Sequence, residues 1–310
     1  MVQRALEPGQ IEKSSSSEIP FLRLPERGAL FAGRAARLRE LAPGHPMGDY
    51  LQFVAKIADT QHWALQNLPA VMLPRPEHVD QCREHAMPPL NVQSHARDRA
   101  WCDNLRMMLR RIAALTEGKV RDIAAKLEHE RDELYEAQAS KLLAGITLGL
   151  DLGAAPFIGA ALQVYWTHMV DVLGAAAFGR IDVATICPAC GSRPVASIVR
   201  VGGAENGLRF LHCSVCSTEW QMARIQCSSC ESTKGIHYHF VEGGSKAAQA
   251  EACDECGTYL KIFYMEHGPQ VEPTADDLAS IALDLLMSDT GKLRSGQNLM
   301  LIHGDEAQAA

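Results

Sequence analysis

Eight of the ten cysteines fall into four C-x2-C pairs: Cys187/Cys190, Cys213/Cys216, Cys227/Cys230 and Cys253/Cys256. The last two pairs repeat the first two at an offset of 40 residues, so the segment is two successive C-x2-C-x22-C-x2-C units in register. The register runs past the cysteines. Cys216-Ser217-Thr218-Glu219-Trp220 aligns with Cys256-Gly257-Thr258-Tyr259-Leu260, and Val201-Gly202-Gly203 falls one residue out of step with Glu242-Gly243-Gly244. Repetition at a fixed period implies a repeated structural unit.

The chemistry follows from the spacing. Two residues between cysteines let a tight turn aim both sulfurs at one cation, and two such knuckles supply the tetrahedral thiolate set that suits zinc or iron. Cys187-Pro188-Ala189-Cys190-Gly191 has the rubredoxin-like form of a knuckle. Each unit is too short to bury much core of its own, so ligation should supply folding energy. The first reading is one metal per unit, held by that unit's own two pairs; cross-pairing between units is the second. Four disulfides would require an oxidising compartment. A thioredoxin-type redox pair would stand alone before a helix rather than fourfold in strand-and-turn units. Cys82 and Cys102 have no partner by spacing and read as ordinary thiols without a functional role.

Other reactive side chains form weaker patterns. His168 and Asp171 lie three apart on an apolar helix, with Asp151 upstream, but the further Glu-x-x-His elements of a di-iron bundle are absent, so they read as polar core residues. His237 and His239 share one strand face and read as exposed, with a supporting role near the metal as the alternative. Asp276 and Asp277 read as serving a helix N-terminus. There is no Walker loop, no GxGxxG and no GxSxG; no catalytic residues are assigned and no enzyme activity is expected.

The elements that must position the cysteines differ from those before them. Past Ile181 the chain is short and β-rich, with strand-like runs at Val195–Val201, Leu208–His212, Trp220–Ile225, Ile236–Val241 and Leu260–Met265. One last helix is expected after Thr274, where Thr274-Ala275-Asp276-Asp277 resembles a capping box, and the final twenty residues read as a mobile tail. The first half is helical. Tyr50, Phe53, Val54, Ile57 and Ala58 recur at helical spacing, as do Trp101, Leu105, Met108, Leu109, Ile112 and Leu115. Five prolines between Pro69 and Pro89 predict an extended, irregular connection. A charged helix should run from Lys119 to about Leu143, and an apolar one should follow Pro156.

The fold class expected is α+β: an N-terminal all-α helical domain, two tandem rubredoxin-like or zinc-ribbon-like metal-binding units, and a C-terminal helix. The boundaries are a loose leader over 1–30 (with its Ser14–Ser17 tract), a helical domain over 31–180, a first unit over 181–226, a second over 227–272, and helix and tail over 273–310.

Composition narrows the partners. Residues 1–180 carry 21 basic and 21 acidic side chains, whereas residues 181–310 carry 9 and 16, so the whole net charge of −7 lies in the cysteine-rich part. Two divalent tetrathiolates would make it more negative still, the reverse of the basic face a nucleic-acid binder needs. The most apolar stretch, Phe157 to Phe178, is broken by Gln163, His168 and Asp171, which argues for a buried helix rather than a membrane span. The N-terminus shows no secretory signature, which predicts a cytoplasmic protein.

The run CPACGSRPVASIVRVGG, then LRFLHCSVCSTEWQMARIQCSSCE, EACDECGTYLKIFY and ADDLASIALD, resembles the FdhE family of formate dehydrogenase accessory proteins. The opening RLPERGALFAGRAARLRELAPGHPMGDYLQF is similar to the same family's, so the resemblance covers nearly the whole chain and all eight paired cysteines. It implies a cytoplasmic factor that binds the catalytic subunit of respiratory formate dehydrogenase before export. It also implies rubredoxin-like iron sites, favouring iron over zinc. A zinc-ribbon interaction or nucleic-acid-binding protein, and a rubredoxin-like electron carrier, are the alternatives.

Overall fold

The computed structural model of the chain describes residues 20–302. The helical first half contains α1 (Leu30–Leu41), α2 (Gly48–Gln66), α3 (Pro76–Glu84), α4 (Ala100–Leu115), α5 (Gly118–Glu128), α6 (Asp132–Ala144) and α7 (Ala155–Leu173). Helix α7 is buried along almost its whole length, from Ala155 to Val170, as a helix that is apolar on every side must be. Helices α2, α4 and α6 pack around it. Asp151 Oδ1 holds the turn that leads into it, accepting from the N–H groups of Gly153 and Ala154 at 2.9 and 3.1 Å.

Two local expectations fail here. The charged helix divides into α5 and α6 because the Tyr135 hydroxyl donates to the carbonyls of Leu127 and Glu128 at 2.5 and 3.2 Å, satisfying the end of α5. The proline-rich connection contains α3, since Pro76 stands in the first helical turn, where its fixed φ is an asset and its missing N–H costs nothing.

The second half forms one sheet rather than two separate units. Its strands are β1 (Leu22–Arg23), β2 (Pro194–Val199), β3 (Arg209–Cys213), β4 (Glu219–Met222), β5 (Ile236–His239), β6 (Ala248–Cys253), β7 (Thr258–Tyr264) and β8 (Leu293–Arg294). Each repeat is an antiparallel three-stranded meander, β2-β3-β4 and β5-β6-β7, and the spatial order is β1-β4-β3-β2-β7-β6-β5. The repeats join through a parallel pairing of β2 with β7, Ser197 opposite Ile262 and Val199 opposite Tyr264. A buried ion pair, Arg209 to Glu251 at 2.8 Å, crosses the same join.

The chain ends are tied into this sheet. Residues 20–29, expected in the loose leader, are packed: Leu22 and Arg23 pair with Trp220 and Glu219, and Arg27 donates to Asp171 at 3.1 Å and lies 3.0 Å from His168 Nδ1. The Ser14–Ser17 tract lies outside the described residues. At the other end two short helices, α8 (Pro273–Ala279) and α9 (Ile281–Asp289), replace the single one expected. The capping box is shifted by two residues. Glu272, not Thr274, is the cap: its carboxylate accepts from Ala275 N at 2.7 Å, and Asp276 accepts from Glu272 N at 2.8 Å.

Asp276 and Asp277 do more than serve a helix end. Asp276 takes a two-pronged ion pair from Arg37 at 2.7 and 2.9 Å. Asp277 is fully buried between Lys261, Arg294 and Asn298. Those last two partners hold the segment expected to be a mobile tail: β8 pairs with β7, and Leu299 and Met300 are buried. Gly159 on α7 permits this, because a Cβ there would stand 2.9 Å from Leu299 Cβ. Residues 303–310 of the expected tail lie outside the described residues.

Candidate metal centres

Every knuckle sits where two strands, or a loop and a strand, turn back on themselves. Cys213 ends β3 and Cys216 precedes β4; in the same way their repeats Cys253 and Cys256 end β6 and precede β7. The residue after the second cysteine adopts a left-handed conformation in all four turns: Gly191 (φ 72°), Ser217 (57°), Glu231 (61°) and Gly257 (69°). Backbone bonds then close each loop, Gly191 N to Cys187 O at 2.8 Å and Cys187 N to Ser192 O at 2.9 Å, with the same pattern at Cys227. The local fold aims each pair of sulfurs inward.

The eight predicted cysteines converge in two groups, and each group is one repeat's own four. Within a group the sulfurs all lie within 4.8 Å of one another. Across the first, Cys187 and Cys216 are 3.6 Å apart and Cys190 and Cys213 3.4 Å; across the second, Cys227 and Cys256 are 3.7 Å apart and Cys230 and Cys253 3.8 Å. A tetrahedron of sulfurs each about 2.3 Å from one ion has edges of about 3.8 Å. A disulfide would need about 2.05 Å. The spacing therefore fits one tetrahedral ion per group, and the two groups could each bind a metal. None of the ten cysteines is in a disulfide.

The surroundings are built for negative sulfur. The N–H groups of Val215 and Cys216 point at Cys213 Sγ, each at 3.4 Å, and Ser229 N points at Cys227 Sγ at 3.3 Å. The repeat extends to a hydroxyl: Thr218 and Thr258 place Oγ1 3.2 and 3.1 Å from Cys216 and Cys256 Sγ. Burial pushes the Cys187 and Cys213 thiols well above their ordinary range. Burial opposes ionisation of Cys190 as well, but hydrogen bonds from Cys187, Cys213, Cys216 and Ser192 outweigh it and hold that thiol low. A divalent cation at the centre is what would stabilise all four as thiolates.

The two groups differ in access. The first four cysteines are fully buried; in the second Cys230 is exposed and Cys256 partly so. Residues of the helical domain, from a loop and from α7, seal the first. Leu90 N and Val92 N donate to the carbonyls of Ala189 and Cys190 at 3.0 and 2.9 Å. Gln163 Nε2 donates to Ser214 O at 2.8 Å and Thr167 Oγ1 to Cys216 O at 3.5 Å. Arg34, 1% exposed, bridges Gln163, Ser217 and Glu272. These sealing residues escaped the sequence reading, although Gln163 left a signal by interrupting an apolar helix. The second group lies toward the open sheet edge β5, where His237 Nε2 meets Asp254, next to Cys253, at 2.8 Å.

The remaining candidates are structural. His168 and Asp171 serve Arg27. Cys82 lies 3.5 Å from His78 Nε2, and burial pushes the Cys102 thiol up to about 12. Among the described residues no further group of three or more histidine, cysteine or carboxylate ligands converges. No described helix is long and apolar enough to cross a membrane.

A helical domain clasping one of two tandem tetracysteine units in a shared sheet defines the class of this protein. Comparison with known proteins makes it more particular. The signatures described as "FdhE, N-terminal", "FdhE, central domain" and "FdhE, C-terminal domain" match residues 19–181, 186–224 and 225–301. The chain is 41% identical to an FdhE homolog of Pseudomonas aeruginosa, over 99% of this chain and 100% of that one. It is 38% identical to the protein FdhE of Salmonella enteritidis, over 96% of each. The crystal structure of the FdhE protein from Pseudomonas aeruginosa superposes with a TM-score of 0.83 at 39% identity, covering 92% of this chain and 100% of that chain. The chain belongs to the FdhE family.

Proposed function

We propose that this protein is a non-catalytic, cytoplasmic maturation factor for respiratory formate dehydrogenase, binding its immature catalytic subunit. The observation that carries the reading is the pair of tetracysteine groups, in register and each complete within its own repeat, in a chain of the FdhE family. Cys187, Cys190, Cys213 and Cys216 would hold one metal, and Cys227, Cys230, Cys253 and Cys256 the other. The family resemblance favours iron. Bound metal supplies folding energy to a region of short strands, and the protein's own residues shape the surface that meets the client. The acidic balance of residues 181–310 supports a protein client over nucleic acid.

The test is complementation. Cells lacking the protein should make the dehydrogenase polypeptide but little formate dehydrogenase activity, and the intact chain should restore it. Variants with Cys187 and Cys190, or Cys227 and Cys230, changed to Ser should restore less. Full activity without the protein would refute the proposal. Visible absorption of protein purified without oxygen decides the metal, since ferric tetrathiolate is coloured and zinc is silent.

A further inference from the structure

At one edge of the sheet β1 is only two residues long; at the other, β5 pairs with β6 alone among the described residues. Gly235 O accepts from Asp254 N at 2.9 Å, and these two residues face each other in the register that sets Ile236 against Cys253 and Tyr238 against Glu251. Hydrogen-bonded pairs alternate along an antiparallel ladder. His237 and His239 therefore turn their backbone groups toward β6, whereas the N–H and C=O of Ile236 and Tyr238 point out of the sheet. Among the described residues these four groups have no partner. β5 is short, but it reads Ile-His-Tyr-His and carries no Pro, no Lys and no bulge, the other devices that blunt an edge. Apolar surface lies beside the open groups: Tyr238 is 37% exposed, and Phe240, one residue past the strand, 63%.

Outward backbone groups at every second residue are matched by one kind of occupant, another strand. Charge selects its composition. Residues 227–272 carry 7 acidic and 3 basic side chains. Glu251 is taken by Arg209, Glu272 by Arg34 and Asp254 by Lys292, while Lys261 is buried against Asp277 and Asp284. The exposed remainder is Glu231, Glu242, Glu255 and Glu266 against Lys234 and Lys246. A second copy of this chain would bring the same acidic surface against itself, and like charges across an interface disfavour it. We propose that the β5 edge docks an extended segment of a partner protein, with apolar side chains alternating with basic ones, which joins the sheet as a further strand. Its backbone pairs with Ile236 and Tyr238, its apolar side chains cover Tyr238 and Phe240, and its basic ones answer the surplus carboxylates. The proposal goes beyond the maturation role and does not depend on it.

The probe is the blocked peptide acetyl-Arg-Val-Arg-Val-Arg-Val-amide, added to the full metal-loaded chain. Calorimetry measures affinity, and hydrogen exchange read by mass spectrometry follows residues 235–242. In the free chain the N–H groups of Ile236 and Tyr238 should exchange as open amides do, and saturating peptide should slow them about tenfold or more. The strands β2, β3 and β4 should keep their exchange rates. Replacing the arginines of the peptide by glutamates should weaken binding about tenfold or more, since the charges then oppose. The arginine peptide methylated at its backbone nitrogens keeps its charge but loses its donors, and should not bind. Glutamate or methylated peptides binding as tightly as the parent, protection confined to other strands, or no protection would overturn the proposal. So would Ile236 and Tyr238 being protected before any peptide is added. Protection that rises with protein concentration would then name a second copy as the occupant, and protection independent of it a segment of the same chain.

Discussion

Excess chelator should strip the two metals at very different rates. To expose the first group, its cover must open, which breaks the hydrogen bonds from Leu90, Val92, Gln163 and Thr167 to the knuckle backbones. At about 1 kcal/mol net for each, opening costs about 4 kcal/mol before any apolar contact is counted. With 1.4 kcal/mol per decade, that slows release about a thousandfold relative to a group already open. The second group is open at Cys230. Metal transfer to a coloured chelator should therefore run in two phases of equal amplitude, separated by about three decades in rate. In the Cys227→Ser/Cys230→Ser variant only the slow phase should remain. A single phase releasing both metals, or a slow phase lost in that variant, would refute the sealing argument.

Replacing Cys187 and Cys190 by Ser should remove about one metal equivalent by elemental analysis and leave the second group loaded; loss of both from a folded chain would mean that ligands are shared between units. Gly191→Ala should destabilise by more than Gly257→Ala in denaturant unfolding. Both add about 1–2 kcal/mol of left-handed strain, but only at Gly191 does a Cβ meet Asn91 Nδ2 at 3.0 Å and Pro88 Cγ at 3.3 Å. Glu219→Gln should cost about 3 kcal/mol at neutral pH, because the folded carboxyl sits at about 2 against an ordinary 4.5 and each unit of that shift is worth about 1.4 kcal/mol. A depressed folded pKa gives stability that is complete above pH 4.5 and fades as pH falls toward 2. Unfolding curves of wild type and Glu219→Gln should thus converge over that window.

The two cysteine groups were legible because covalent spacing alone specifies a knuckle: Cys187 to Cys190 is a turn whatever surrounds it. The helical stripes were legible for a similar reason, as Trp101, Leu105 and Leu109 need only their own period. The union of the repeats into one sheet was not, because the pairing of Ser197 with Ile262 spans 65 residues and nothing local marks it. Strand β6 reads AQAEAC, a run with little β propensity, and is drawn into the sheet by its knuckle and its neighbours. The packed C-terminal segment escaped notice because its anchor is polar. Asp277 faces Arg294 and Asn298, and charged residues near a chain end read as solvated until their partners are seen. The unequal burial of two matching cysteine sets likewise depends on which repeat the helical domain covers.

The central claim, that the chain serves formate dehydrogenase, is met most directly by affinity recovery of the full chain from anaerobic, formate-respiring cells, followed by mass spectrometry. The account predicts that the catalytic subunit of formate dehydrogenase is recovered with it. Recovery should persist after nuclease treatment and show none of the steep salt dependence that phosphate contacts impose. Recovery of nucleic acid with no formate dehydrogenase subunit would contradict the account and return the protein to the zinc-ribbon class.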